Sequence, residues 1–130
     1  MIGGCSLQTH WNHMISGEVA YYLEQNGQNM QRMVSLEEGL ALDTWDVVTV
    51  QQVSHHSGQP QTYIPYLTDL VAYVREKCPG AKVYFHQTWA YEIDSDHGGF
   101  LNYNRDQQEM YRRICDCAEL VNEGGLTFLG

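Results

Sequence analysis

Positive charge is scarce in this sequence: seven Lys and Arg stand against sixteen Asp and Glu, for a formal net charge of −9. The basic residues are scattered rather than gathered on one predicted face, which excludes the electrostatic footprint of a nucleic-acid or anionic-membrane binder. Long apolar runs are missing as well. None reaches the roughly 18 to 20 residues that span a bilayer, and the start "MIGGCSLQTHWNH" lacks the charged region and apolar core of a signal peptide. The chain therefore reads as soluble, and nothing in it points to a compartment. No C-x-x-C pair occurs among Cys5, Cys78, Cys115 and Cys117. Cys115 and Cys117 fall on different sides of a helix, so free thiols are expected. Internal repeats and low-complexity linkers are absent too, and the length suits one domain over residues 1–130.

What is present alternates. After the paired glycines Gly3-Gly4, "SLQTHWNHMI" reads as a short helix. Asn26-Gly27 between "AYYLEQ" and "QNMQRMV" signals a β-hairpin with a two-residue turn. Ser35 and Glu38 form a capping box, so "SLEEGLAL" is predicted to be a short helix ending before Asp43. The β-branched run "DVVTVQQ" suits a strand covered on both faces. Leu67, Leu70, Val71 and Val74 recur at helical spacing until "CPG" stops them. A second buried strand, "AKVYFHQ", follows. Met110, Ile114, Ala118 and Val121 then share one face of a long helix, and "GLTFLG" begins a last strand.

Strands alternating with helices imply an α/β fold with a mostly parallel sheet. Ligands of such sheets bind beyond the carboxyl ends of the strands. Three loops are thereby selected: the Gly3-Gly4 turn, Gln51 to Gly58, and Gln87 to His97. They carry Ser6, His10, Gln51, Gln52, Ser54, His55, His56, His86, Trp89, Tyr91 and His97, a set of polar and aromatic side chains expected to converge on one pocket.

The stretches "IGGCSL..HW", "WDVVTVQQVS" and "HQTWAY", in this order and at these intervals, resemble one branch of the SGNH hydrolases, also called GDSL-type esterases and lipases. The resemblance extends over nearly the whole chain. It implies a flavodoxin-like three-layer α/β/α fold and transfer of an acyl group from an ester to water through a serine nucleophile, with no cofactor. The substrate so implied is a small-molecule ester, an acetylated carbohydrate among the options. In this family a nucleophilic Ser follows the first strand, a Gly the second and an Asn the third, and a His stands in an Asp-x-x-His near the C-terminus. Gly4 matches the second-block glycine, whose amide would face a developing oxyanion, unless it serves turn geometry alone. The third-block Asn is absent here. Gln51, Gln52 or Ser54 would have to supply that donor, with Gln51 and Ser54 the best-matching pair, unless these residues only satisfy the strand's last backbone groups.

Departures from the pattern are as informative. On this alignment the chain begins at the second block and stops as the fifth strand begins, so it is expected to be a central portion with an incomplete sheet, lacking the nucleophilic Ser and the catalytic His. Asp94 and His97 have Asp-x-x-His spacing but follow the wrong strand, which leaves His97 an outside candidate for the base. Ser6, Gln52, Trp89 and Tyr91 are expected to contact substrate. Cys5 beside His10 suggests either a thiol nucleophile or a small buried hydrophobe.

Two other classes stay open. His10 and His13, or His55, His56 and His97 with Asp94, have the residue types of a metal site, though no spacing across the loops defines one. Trp11, Trp89, Tyr91 and the hairpin tyrosines would suit a non-catalytic carbohydrate-binding or interaction module, or simply packing. The acidic surface and the hairpin are candidate contacts in a homo-oligomer.

Overall fold

A computed structural model of the chain describes residues 5–123 and 127–129. Helix α1 (Leu7–Ser16) starts at Ser6, whose hydroxyl accepts the Thr9 N–H at 3.1 Å, and ends at Gly17, where φ is 68°. The left-handed backbone there lets the Gly17 amide bond back to the His13 and Met14 carbonyls. Strands β1 (Tyr21–Gln25) and β2 (Gln28–Val34) then form the expected antiparallel hairpin, with φ of 53° at Asn26 and 75° at Gly27. Two successive positive φ values are what a type I′ turn requires. The register shifts between Tyr22 and Glu24, opposite Gln31, which is itself left-handed at φ 53°. The hairpin rests on α1 through Tyr21, whose hydroxyl lies 2.8 Å from His10 Nδ1 while its ring stacks on that imidazole.

Helix α2 (Leu36–Ala41) begins at the predicted cap: the Ser35 hydroxyl accepts the Glu38 N–H and donates to its carboxylate. Beyond it lie β3 (Val47–Val50), α3 (Tyr66–Lys77), β4 (Lys82–His86), α4 (Gln107–Glu123) and β5 (Thr127–Leu129). The last three strands make one parallel sheet in the order β3-β4-β5, with Val47 opposite Lys82 and Phe85 opposite Phe128. The architecture is mixed α/β. Short 3-10 turns, Ser54–His56, Pro60–Thr62 and Gly98–Tyr103, occupy what the residue pattern marks only as polar loops.

Alternation along the strands decides which sheet face is covered. Val83 and Phe85 point into a buried cluster with Leu7 of α1, Leu67, Leu70, Val71 and Val74 of α3, and Cys117 and Val121 of α4. Val48 and Val50 pack against the same cluster. The other face behaves differently: Val47 is 49 % exposed and Thr49 is exposed, so β3 is not covered on both faces by the described residues. A second cluster, Phe100, Tyr103, Met110 and Ile114, ties the first half of α4 to the turn before it. The predicted apolar faces of both long helices are thus the buried ones. All four cysteines are free thiols. No helix among the described residues is long and apolar enough to cross a membrane.

The expected strand end "QQ" leaves the sheet at Gln51 because Gln52 turns inward. Its side chain is wholly buried, and its Oε1 accepts the Leu7 N–H at 3.0 Å and the Val53 N–H at 2.8 Å. Its amide nitrogen donates to the Thr62 carbonyl and hydroxyl. One amide thereby joins the start of α1, the end of β3 and the turn leading to α3.

Three outcomes follow from this packing. Gln52→Leu removes the partner of the buried Leu7 N–H and of the Val53 N–H, an unmade bond to a buried group costing about 1–3 kcal/mol, and should lower the unfolding free energy extrapolated from urea curves by at least about 1 kcal/mol. Phe85→Ala should cost about 3–5 kcal/mol while Val47→Ala, on the open face, costs under about 1 kcal/mol, as read from paired denaturation curves. Burial, then the neighbouring His13, holds the His10 pKa below the ordinary 6.5, and the Tyr21 hydroxyl bonded to it is pushed up to about 12, chiefly by burial. A histidine whose folded pKa is depressed contributes stability above the unfolded pKa and loses it as pH falls through the folded one. Melting temperature should therefore drop between pH 7 and pH 5, and His10→Gln should flatten that slope.

Candidate functional site

Because β3 and β4 run parallel, their carboxyl ends open on the same edge, and the loops 51–58 and 87–97 meet there. The start of α1 joins them through the Leu7–Gln52 bond. Gly3 and Gly4, and with Gly4 the proposed second-block amide, lie outside the described residues.

Loop 51–58 is held from beneath by two tyrosines. The buried Tyr63 hydroxyl donates to the Ser57 carbonyl at 2.7 Å. Tyr103, with no exposed surface, donates its hydroxyl to the His55 carbonyl at 3.0 Å and accepts the Gly58 N–H at 2.9 Å. Burial pushes the phenols of both upward, so they remain protonated donors. Gly58 is required by this closeness: a Cβ there would lie 2.7 Å from the Tyr103 ring. Gly99 is required likewise, since a Cβ would collide with His55. These anchors, Tyr63, Tyr103, Gly58 and Gly99, were not marked by motif or spacing. The tyrosines sit at ordinary helical or loop positions, and only the close approach of two distant segments makes the glycines necessary.

On this base stands a row of rings. Tyr91 lies 4.7 Å from His97, His97 is 6.1 Å from His55, and His55 is 4.3 Å from His56, centroid to centroid. Tyr91 also meets Phe100 edge-on, which anchors the row to the second core cluster. The His56 pKa is lowered by burial and then by His55. Beside the row, Trp89 is 86 % exposed and lines an open concavity of about 530 Å³ with Tyr91, Glu92, Asp94, Ser95 and Asp96.

Apart from Gly4, each expected site residue has a definite place. Gln51 is exposed at the end of β3, and Ser54 opens the 3-10 turn that carries His55 and His56. Gln52 faces the core and has every hydrogen-bonding group engaged, which leaves it nothing for a substrate. Ser6 caps α1, its hydroxyl also 3.0 Å from that of Thr9. His97 caps the turn Gly98–Tyr103: its Nδ1 accepts the Gly99 N–H at 3.0 Å. That bond puts the neutral ring's proton on Nε2, whereas a serine-activating imidazole needs Nδ1–H bonded to an acid and Nε2 free to accept. Among the described residues no serine hydroxyl bonds a histidine ring.

The thiol reading weakens on the same grounds. His10 is paired with Tyr21, and burial raises the Cys5 pKa, the opposite of what an activated thiolate needs. His10 and His13 sit beside the hairpin while His55, His56 and His97 gather at the rim. Among the described residues no group of three or more His, Cys, Asp or Glu is arranged to hold a metal ion.

Comparison with known proteins adds two likenesses in structure. A DUF4886 family protein from Bacteroides uniformis ATCC 8492 is 35% identical, with a TM-score of 0.88 over 98% of this chain and 51% of that one. At 21% identity, a "putative SGNH hydrolase" from Slackia heliotrinireducens is similar in fold, with a TM-score of 0.53 over 71% of this chain and 49% of that one. The chain thus spans about half the length of the solved structures it matches. No curated protein matches it. The family model of DUF4886, a domain of unknown function, matches residues 1–125, and the chain belongs to that family.

Proposed function

We propose that this chain is the substrate-holding central part of an SGNH-type ester hydrolase with a three-layer flavodoxin-like fold, and that its rim binds an acylated carbohydrate. The observation that carries the reading is the meeting of loops 51–58 and 87–97 at the carboxyl edge of a parallel sheet, where ligands of such folds sit. The likeness in fold to the Slackia heliotrinireducens protein supports the architecture.

In this reading the exposed amide of Gln51 and the hydroxyl of Ser54 donate hydrogen bonds to the acyl oxygen, together with the Gly4 amide. Ser54 is well suited to the task because the turn that carries it is immobilised by Tyr63 and Tyr103. Trp89 offers its face to a sugar ring, with Glu92, Asp94 and Asp96 around it to accept from hydroxyls, and Tyr91 extends the platform. Nucleophile and base are not among these residues: the cap made by His97 opposes a base role, and Ser6 is engaged at the start of α1. Acyl transfer accordingly requires groups from other residues, and the part played here is orientation and oxyanion contact.

Two measurements on the purified chain test this. Incubation with p-nitrophenyl acetate and a fluorophosphonate probe should give neither turnover nor a covalent adduct, and a probe adduct on Ser6 or Ser54 with turnover would overturn the division of roles. Titration with an acetylated oligosaccharide should quench tryptophan fluorescence, and Trp89→Ala should weaken binding about two- to tenfold, the range of one aromatic contact. Unchanged affinity in that variant, or no binding by the parent chain, sinks the rim as a carbohydrate site.

A further inference from the structure

Away from the rim, α3 and α4 diverge enough to leave an apolar groove of about 380 Å³. Ile64, Leu67, Val71, Ala72 and Leu120 line it, with Arg75 among the wall residues. Ile64 is 73 % and Leu120 55 % exposed, large apolar side chains beside a concavity rather than scattered on a convex surface. The groove continues into a second concavity through the shared Pro60, Cys117 and Leu120, where Arg112 and Arg113 stand.

The charge there runs against the rest of the molecule. Three of the seven basic residues border this track in a chain of net charge −9. Two of them have partners: Arg112 faces Asp116 at 3.6 Å, and Arg113 donates to the Asn102 carbonyl and lies over the Tyr103 ring. Arg75 has no ion pair or hydrogen bond among the described residues. The reason is local, because the positions three and four away from it are Val71, Ala72, Cys78 and Pro79, none of them acidic. A fixed-charge guanidinium thus stands at an apolar slot with no carboxylate to neutralise it.

We propose that this groove is a binding site for an amphiphilic carboxylate, a medium-chain fatty acid, whose alkyl chain lies along Ile64, Leu67, Val71 and Leu120 and whose head pairs with Arg75. The volume is that of a small-molecule site, whereas a docked helix would need a trough for a cylinder about 10 Å across. The chain supplies affinity by removing methylenes from water. The exposed arginine supplies direction and a preference for the anion over a neutral head. This proposal does not depend on the hydrolase reading: the groove shares with the rim only the anchor Tyr63, and the residues placed against the ligand, Ile64, Leu67, Val71, Leu120 and Arg75, lie outside the rim.

Calorimetric titration of the purified chain with decanoate, octanoate and decanol at pH 7.5 decides it. One molecule of decanoate should bind, affinity should fall about fourfold per methylene removed, and decanol should bind several-fold more weakly. Arg75→Gln should weaken decanoate about three- to fivefold and leave decanol unchanged, a split that loss of fold would not produce. Ala72→Trp, at an exposed wall position, should fill the groove and abolish binding of both with unchanged circular dichroism. Absence of decanoate binding, or binding indifferent to both substitutions, would overturn the proposal. So would a sedimentation result in which the chain is a dimer that Leu120→Glu dissociates, because a second copy would then occupy the groove.

Discussion

A single buried amide holds the functional edge of this fold together. Gln52 stands where β3 ends, with no exposed surface, and satisfies groups of its neighbour Val53, of Thr62 ten residues on and of Leu7 45 residues earlier. In the low-dielectric interior each of those bonds is expensive to leave unmade, so the start of α1, the end of β3 and the Pro60–Thr62 turn keep one mutual arrangement. Had the residue been apolar, the Leu7 and Val53 amides would be buried without partners. The strand's carboxyl end is therefore a junction rather than a loose exit.

The loop beyond inherits that rigidity. Tyr63 grips the Ser57 carbonyl and Tyr103 the His55 carbonyl from the core side, and Gly58 and Gly99 give the space that the approach requires. With the backbone so determined, the rings of Tyr91, His97, His55 and His56 touch in a fixed order, while Trp89 is left out in solvent. A rim of this kind combines a rigid floor with an accessible aromatic face, a combination suited to orienting a polar ligand. Serine and histidine on these loops need not be a catalytic set: Ser6 and His97 serve as caps, of α1 and of the turn Gly98–Tyr103.

The sheet shows a related division. One face carries the core, built from α1, α3 and α4, and the opposite face of β3 presents Val47 and Thr49 to solvent. Parallel sheets generally have helices on both faces, so the β-branched composition of "DVVTVQQ" reads as a strand covered twice over. Composition reports what a strand tolerates. It does not report which neighbours are present.

Local rules carried much of this structure. Asn26-Gly27 specified the hairpin turn because few residues accept two positive φ values, and Ser35 with Glu38 specified the start of α2 through bonds spanning three residues. The apolar faces of α3 and α4 were equally plain, since periodicity marks the side that water must leave. The alternation of strand and helix indicated that loops 51–58 and 87–97 would meet. Which polar side chain would turn inward was not legible: Gln51 and Gln52 are chemically identical neighbours, and it is the core face shared with Val48 and Val50, with the Leu7 N–H and Thr62 beside it, that takes the second. His97 was likewise ambiguous, because whether an imidazole caps a turn or takes a proton depends on which N–H reaches its Nδ1. The sequence by itself determined the hairpin turn, the Ser35 cap and the buried faces of α3 and α4, all matters of short-range sterics and hydrophobic period. Tertiary structure alone decided the roles of the polar residues, because a hydrogen bond is assigned by whatever donor or acceptor the fold brings within about 3 Å.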